Sequence, residues 1–334
     1  MVQQINPSLA RLWLSENTRQ YGADGKLVLE SLTEPEMRLV ELLERGITDN
    51  QLPQLSKMAK VSEARTRSLL QRLPPLISRT SSFLPLLDSA GVEREFSEIM
   101  RLYLLEHADP AEAMRKRLGS RVFISSLNRT GLVLSRGFAA SGIGTVFTAD
   151  QRTVGPSDTL ELGYPKHELG NQRARAAKRL ITPTSIELHS RVSESYGKTD
   201  VAILIAGDVV DPGRYAPWMS RDIPHISIVF SESGASVSHL VLPGITPCLA
   251  CLELQRLQSD PKWITTAPQL AMIDRDLADS SLILFAASIA LSLSLNLIDG
   301  VDPEESPVVS QLLRTSELRQ QLVADTNCGC RLER

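Results

Sequence analysis

Apolar positions follow three kinds of spacing along the chain, and each change of spacing marks a change of element. Near the N-terminus the runs are short: Leu12 to Leu14, Arg19 to Tyr21 and Leu27 to Leu29, with a turn at Gly22 to Gly25, predict small strands. The spacing then becomes helical. Thr33 with Glu36 three residues on forms a capping box, Met37, Val40 and Leu43 share one face, and Gly46 stops the helix. A short helix at Gln51 to Ala59 and a longer one from Ser62 to Leu73 follow, ended by Pro74 and Pro75. Strands followed by three helices within the first 77 residues predict a small winged helix-turn-helix.

Residues 78–118 read as a linker rich in Pro and Ser, followed by covering helices from Val92 to Glu106 and from Pro110 to Leu118. Beyond them, RVFISSLNRTGLVLSRGFAASGIGTVFTAD (residues 121–150) alternates an apolar run, a polar turn, a helical pattern and a second apolar run, which is a strand-helix-strand unit. Its turn, Ser126 to Gly131, has glycine only at the last of the places where a dinucleotide or ATP turn carries several. A helix at Asn171 to Leu180 and strands at Ser185 to Leu188, Val201 to Ala206, His225 to Phe230 and Ser236 to Leu242 continue the alternation, with a helix around Tyr215 to Arg221. The pattern predicts an α/β fold for residues 119–334, a mostly parallel, Rossmann-like sheet flanked by helices.

Composition changes this picture little, but it restricts the partners. The chain has 334 residues, 42% hydrophobic and 22% charged, with a net charge of -3. That balance exerts no general pull on nucleic acid or membranes. Residues 1–77 carry 10 Lys and Arg against 9 Asp and Glu, so Arg65, Arg67 and Arg72 on the third helix lack the basic surroundings of a DNA-binding face. The uncharged run Ser280 to Ile298 is long enough to span a membrane, but its serines and missing basic flank favour a core or dimer-interface helix. No basic-then-apolar signal opens the chain, which points to the cytoplasm. The five histidines show no paired spacing.

Four cysteines stand in two close pairs, Cys248 with Cys251 and Cys328 with Cys330. Four thiolates suit tetrahedral zinc, and a site with every position filled is structural rather than catalytic.

The segments RVFISSLNRTG, TVFTADQRTV, ELGNQRARAAKRL, DVAILIAGD, IPHISIVFSESGASVSHLVLPGITPCLACLELQR and NCGC together resemble the ThiF/MoeB (ubiquitin-activating-type) adenylating superfamily. They are most similar to the diverged ThiF-like proteins of azole-peptide cyclodehydratases. Residues 1–77 resemble the peptide-recognition domain at the front of proteins that modify ribosomally made peptides, in which a leader peptide is added as a strand beside the third helix. On this chain that groove falls between Leu27 to Glu30 and Ser62 to Leu73.

The resemblance implies an ATP and magnesium site at Asn128, Arg129, Gly131, Asp150, Arg173 and Asp208. Asp150 stands at the ribose-binding acid and Asp208 at the magnesium aspartate, but Arg173 replaces the family's catalytic lysine, and Ser126 and Asn128 replace glycines. Two family positions persist and the triphosphate cradle does not. Three functions follow as expectations: a non-catalytic leader- or precursor-binding scaffold, an active adenylyltransferase using Arg173 and Asp208 as catalytic groups, or a winged-helix DNA-binding regulator. For the first, the resemblance implies a peptide or small-protein partner, a YcaO-type enzyme and a homodimer.

Overall fold

The computed structural model describes residues 2–25, 27–73, 77–79, 91, 93, 95–104, 110–182, 184–273, 275–301, 308–313, 316–321 and 328–330. The expected linker of residues 80–90 and His107 lie outside the described residues. The chain divides into two compact units, residues 1–115 and 116–334.

In the first unit, β2 (Arg11–Ser15), β3 (Thr18–Tyr21) and β4 (Leu27–Leu29) form an antiparallel sheet in that order. A second small sheet, which the apolar spacing had not marked, pairs β1 (Val2–Gln4) with β5 (Ile47–Thr48) on one side and β6 (Ile77–Arg79) on the other. The helices are α1 (Glu34–Arg45), α2 (Leu55–Ala59) and α3 (Glu63–Arg72). The capping box forms as expected, with the Thr33 amide donating to Glu36 Oε2 at 2.8 Å, and Gly46 ends α1 at a φ of 89° that favours glycine. Leu39, Val40, Leu43, Leu55, Leu69 and Tyr21 close one apolar core.

Helix α4 (Phe96–Tyr103), expected to cover the second domain, belongs with the first unit. Ser8 Oγ donates to its Met100 carbonyl at 2.7 Å, and it buries Ile99, Leu102 and Tyr103 while Phe96 is exposed. Helix α5 (Pro110–Gly119) leads into the second unit.

That unit is an eight-stranded sheet flanked by helices, with strand order β14-β13-β12-β11-β10-β7-β8-β9 among the described residues. Its strands are β7 (Arg121–Ile124), β8 (Thr145–Thr148), β9 (Ser185–Leu188), β10 (Val201–Gly207), β11 (His225–Ser231), β12 (Gly234–Val237), β13 (Val308–Leu313) and β14 (Glu317–Gln321). The first five run parallel and the last three are antiparallel. The predicted strand at Ser236 to Leu242 starts two residues earlier and its regular ladder stops at Val237, although the Ser238 amide still donates to the Ser227 carbonyl and Val241 bridges back to His225.

The helices are α6 (Arg129–Ala140), α7 (Arg173–Leu180), α8 (Pro212–Met219), α9 (Leu249–Ser259), α10 (Trp263–Ala271) and α11 (Ser280–Asp299). Alternation along β11 sends Ile226, Ile228 and Phe230 to the core beneath α6 and α11, and Val229 to the opposite core with Trp218, Cys248 and Cys251. Helix α11 is long and apolar enough to cross a membrane by length and composition. Its small face, Ala286, Ala287, Ala290 and Ser294, is buried, and Gly137 of α6 approaches Leu291. A buried ion pair, Arg117 Nη2 to Asp299 Oδ2 at 2.7 Å, joins α5 to the end of α11.

Candidate functional site

The turn between β7 and α6 is held by its own side chains. Asn128 is the N-cap of α6, its Oδ1 accepting the Gly131 amide at 3.2 Å, so this side chain closes the helix end that a phosphate would otherwise occupy. Asp150, buried past the end of β8, accepts the Leu127 amide at 2.8 Å on Oδ2, and Ser126 Oγ accepts the Asn128 amide at 3.3 Å. Two backbone donors of the turn are therefore spent inside the protein. Gly131 is obligatory for a different reason: a Cβ there would lie 1.9 Å from the Ser126 carbonyl oxygen. Tyr164, also buried, donates its hydroxyl to the Leu127 carbonyl at 2.7 Å and pins the turn from the other side.

Arg173, the first residue of α7, is clasped by two acids. Its Nε and Nη2 donate to Asp158 Oδ2 at 2.9 and 2.8 Å, and its Nη1 to Asp150 Oδ2 at 3.3 Å. Burial alone would lower the pKa of this guanidinium, but Asp158 and then Asp150 outweigh it and raise it. Asp150 in turn would be raised by burial. The charge of Arg152, whose Nε stands 3.0 Å from Oδ1, and the amides of Leu127 and Arg152 hold it below the ordinary carboxylate range.

Asp208 follows β10 at a φ of 54° and carries a side-on pair with Arg275, Nε to Oδ2 at 2.9 Å and Nη2 to Oδ1 at 3.0 Å; Arg275 Nη1 also reaches Glu232 at 2.8 Å. These acids raise the pKa of Arg275. Arg129 takes no place at the turn's open side: it is buried, and its Nη2 donates to the Ala278 carbonyl.

A cavity of about 580 Å³ opens over these groups, lined by Ser126, Asn128, Arg152, Arg173, Arg214 and Arg275 among others. Arg214 Nη2 donates to the Ile205 carbonyl at 2.9 Å and Ser125 Oγ at 3.1 Å, and burial lowers its pKa, with the charge of Arg152 adding to the effect. The structure thus brings together the sequence-predicted Asn128, Gly131, Asp150 and Arg173, and sets Asp208 under Arg275. It adds Asp158, Tyr164, Arg152 and Arg275, which sequence reasoning missed. The acid in GPSDT (residues 155–159) carried no motif, and Arg275 lies 67 residues from its partner.

All four cysteines meet. Their Sγ atoms lie within 4.8 Å of one another, with Cys248 to Cys328 and Cys251 to Cys330 at 3.4 Å. Tetrahedral zinc with bonds of about 2.3 Å sets sulfurs about 3.8 Å apart, so the donor set fits a closed four-sulfur site. Without a cation, burial and the neighbouring sulfurs push the Cys330 thiol up to about 11 and raise Cys328 too; a bound cation reverses that direction.

Elsewhere, His189 Nδ1 lies 2.8 Å from Ser195 Oγ, with Glu187 3.8 Å from its other nitrogen, but Ser195 is wholly buried and offers substrates no nucleophile. In the first unit, the half-exposed Arg65 pairs with buried Glu36.

No family model and no curated protein sequence matches the chain. Solved structures do. The E. coli protein MccB is 13% identical, with a TM-score of 0.70 over 100% of this chain and 98% of that one. MccB with ATP aligns at 0.65 over 99% of this chain and 100% of that one, again at 13% identity. PaaA aligns at 0.62 and 20% identity over 81% of this chain and 96% of its own. The chain therefore carries the α/β fold of MccB, preceded by a small region of sheet and helix.

Proposed function

We propose that this protein binds a leader or precursor peptide as a non-catalytic scaffold of a peptide-modifying system, built on an adenylating fold that has lost its chemistry. The observation that carries the reading is the clasp on Arg173. The cation at the family's lysine position is neutralised by Asp158 and Asp150, so it is not free to take the negative charge of a triphosphate. Asp208 is likewise committed to Arg275 rather than to magnesium. A nucleotide would have to compete with Asp158 and Asp150 for Arg173, and magnesium with Arg275 for Asp208.

The peptide side of the reading is supported by MccB, described as a microcin C7 biosynthetic enzyme and solved in complex with N-formylated MccA and, separately, with AMPCPP and MccA. In this proposal residues 1–77, within the first unit, are a winged-helix peptide-recognition domain, the four cysteines hold structural zinc, and the protein works in the cytoplasm as a homodimer beside a YcaO-type enzyme that supplies ATP-dependent chemistry. Pyrophosphate exchange tests it. The full chain with ATP, magnesium and a pool of short peptides is expected to exchange no label above a protein-free control. Exchange above that control would establish an active adenylyltransferase with Arg173 and Asp208 in catalytic roles.

A further inference from the structure

Sheet β2-β3-β4 ends on β4, which has a strand partner on one side only among the described residues. Leu27 and Leu29 stand opposite Tyr21 and Arg19, and Val28 opposite Gln20. In antiparallel pairing, residues alternate between those bonded across to the neighbour and those whose N–H and C=O point away from it. The Val28 carbonyl is of the second kind, because the guanidinium of Arg72 reaches it: Nη2 donates to it at 3.2 Å. Arg72 is the last residue of α3, is exposed, and makes no ion pair among the described residues. Arg67, also exposed on α3, makes none either, whereas Arg65 is taken by Glu36. A guanidinium carries five donors arranged to grip a carboxylate with two of them, and one long bond to a neutral carbonyl uses little of that capacity.

We infer that Arg72 both latches the open edge of β4 and selects what replaces the latch: an extended peptide segment carrying an Asp or Glu side chain. This rests on the peptide-binding reading and narrows it to one residue and one ligand charge. The incoming strand gives an N–H to the Val28 carbonyl, and the displaced guanidinium turns to the peptide's carboxylate. The half-buried Leu27 and Val28 side chains offer the segment apolar contact. Glu30, exposed just past the strand, repels an acid there and leaves the Leu27 to Val28 end as its place.

The test pans a random 12-residue peptide display library against the full-length protein and its Arg72→Glu variant. Because Arg72 is exposed, the variant is expected to melt at the wild-type temperature. The wild type is expected to enrich peptides with Asp or Glu at one position, and the variant to enrich Lys or Arg there. A peptide selected on the wild type should lose about tenfold in affinity on Arg72→Gln, in keeping with the loss of one charged hydrogen bond. Peptides selected by both proteins without a charge preference would overturn the role of Arg72 while leaving peptide binding intact. Selection of no peptide by either protein would overturn the peptide-binding reading itself.

Discussion

Arg173 is held by neighbours that suit the shape of its guanidinium. A lysine ammonium is a compact point charge; the forked guanidinium needs acceptors spread across a plane, and Asp158 and Asp150 supply them. Arg173, Ser126 in the turn and Arg152 beside Asp150 form one hydrogen-bonded set around that carboxylate.

Other buried polar groups set how the protein responds to pH. His225 is wholly buried with Nδ1 on the Ile223 carbonyl at 2.9 Å and Nε2 unpartnered. Burial, opposed by that bond and reinforced by His239, brings its pKa down from 6.5 to about 4. The neutral ring is thus the folded form. Below pH 6.5 the unfolded chain takes up a proton that the folded chain refuses, so the stability this residue contributes is complete above pH 6.5. It is lost as pH falls through 4, an amount of about 3 kcal/mol at about 1.4 kcal/mol per pH unit. Melting curves at pH 7, 5.5 and 4.5 should show a shallower fall for His225→Gln than for the wild type; equal slopes would contradict this assignment. The ring was visible in the sequence only as a lone histidine. Its burial was not, because strand direction and the covering helix decide it.

At the scale of elements, β7, the turn, α6 and β8 were legible because each has a strong periodic pattern and Gly131 has only one reason to be there. Helices α9 and α10 and strands β13 and β14 were not. The strands are short, and β13 is placed by pairing with β12 across about 70 residues of sequence. The cysteine spacing predicted that the end of the chain returns to α9, and the structure places Cys328 and Cys330 against Cys248 and Cys251. If zinc holds that return, the purified protein contains one zinc per chain. Stripping it with a chelator should lower Tm by on the order of 10 °C, since structural zinc is worth several kcal/mol or more to the elements it ties together. A metal-free protein with an unchanged Tm would contradict the staple.

For the whole molecule, the sequence carried the five parallel strands and the flanking helices, since alternating apolar runs and helical patterns leave few topologies open. What it could not carry was the state of the site, because the deciding partners, Asp158 for Arg173 and Arg275 for Asp208, come together only through the fold. The fold is that of MccB, and the charges that line the cavity over the β7–α6 turn are paired with one another, Arg173 with Asp158 and Asp150 and Arg275 with Asp208. Calorimetric titration of the full chain with magnesium ATP tests this most directly, on the wild type and on the variant with Ser126→Gly and Asn128→Gly. The account predicts no saturable heat for either protein, because restoring the glycines leaves Arg173 clasped. Saturable binding by the wild type, or its appearance in the variant, would contradict the claim that the arginine clasp closes the site.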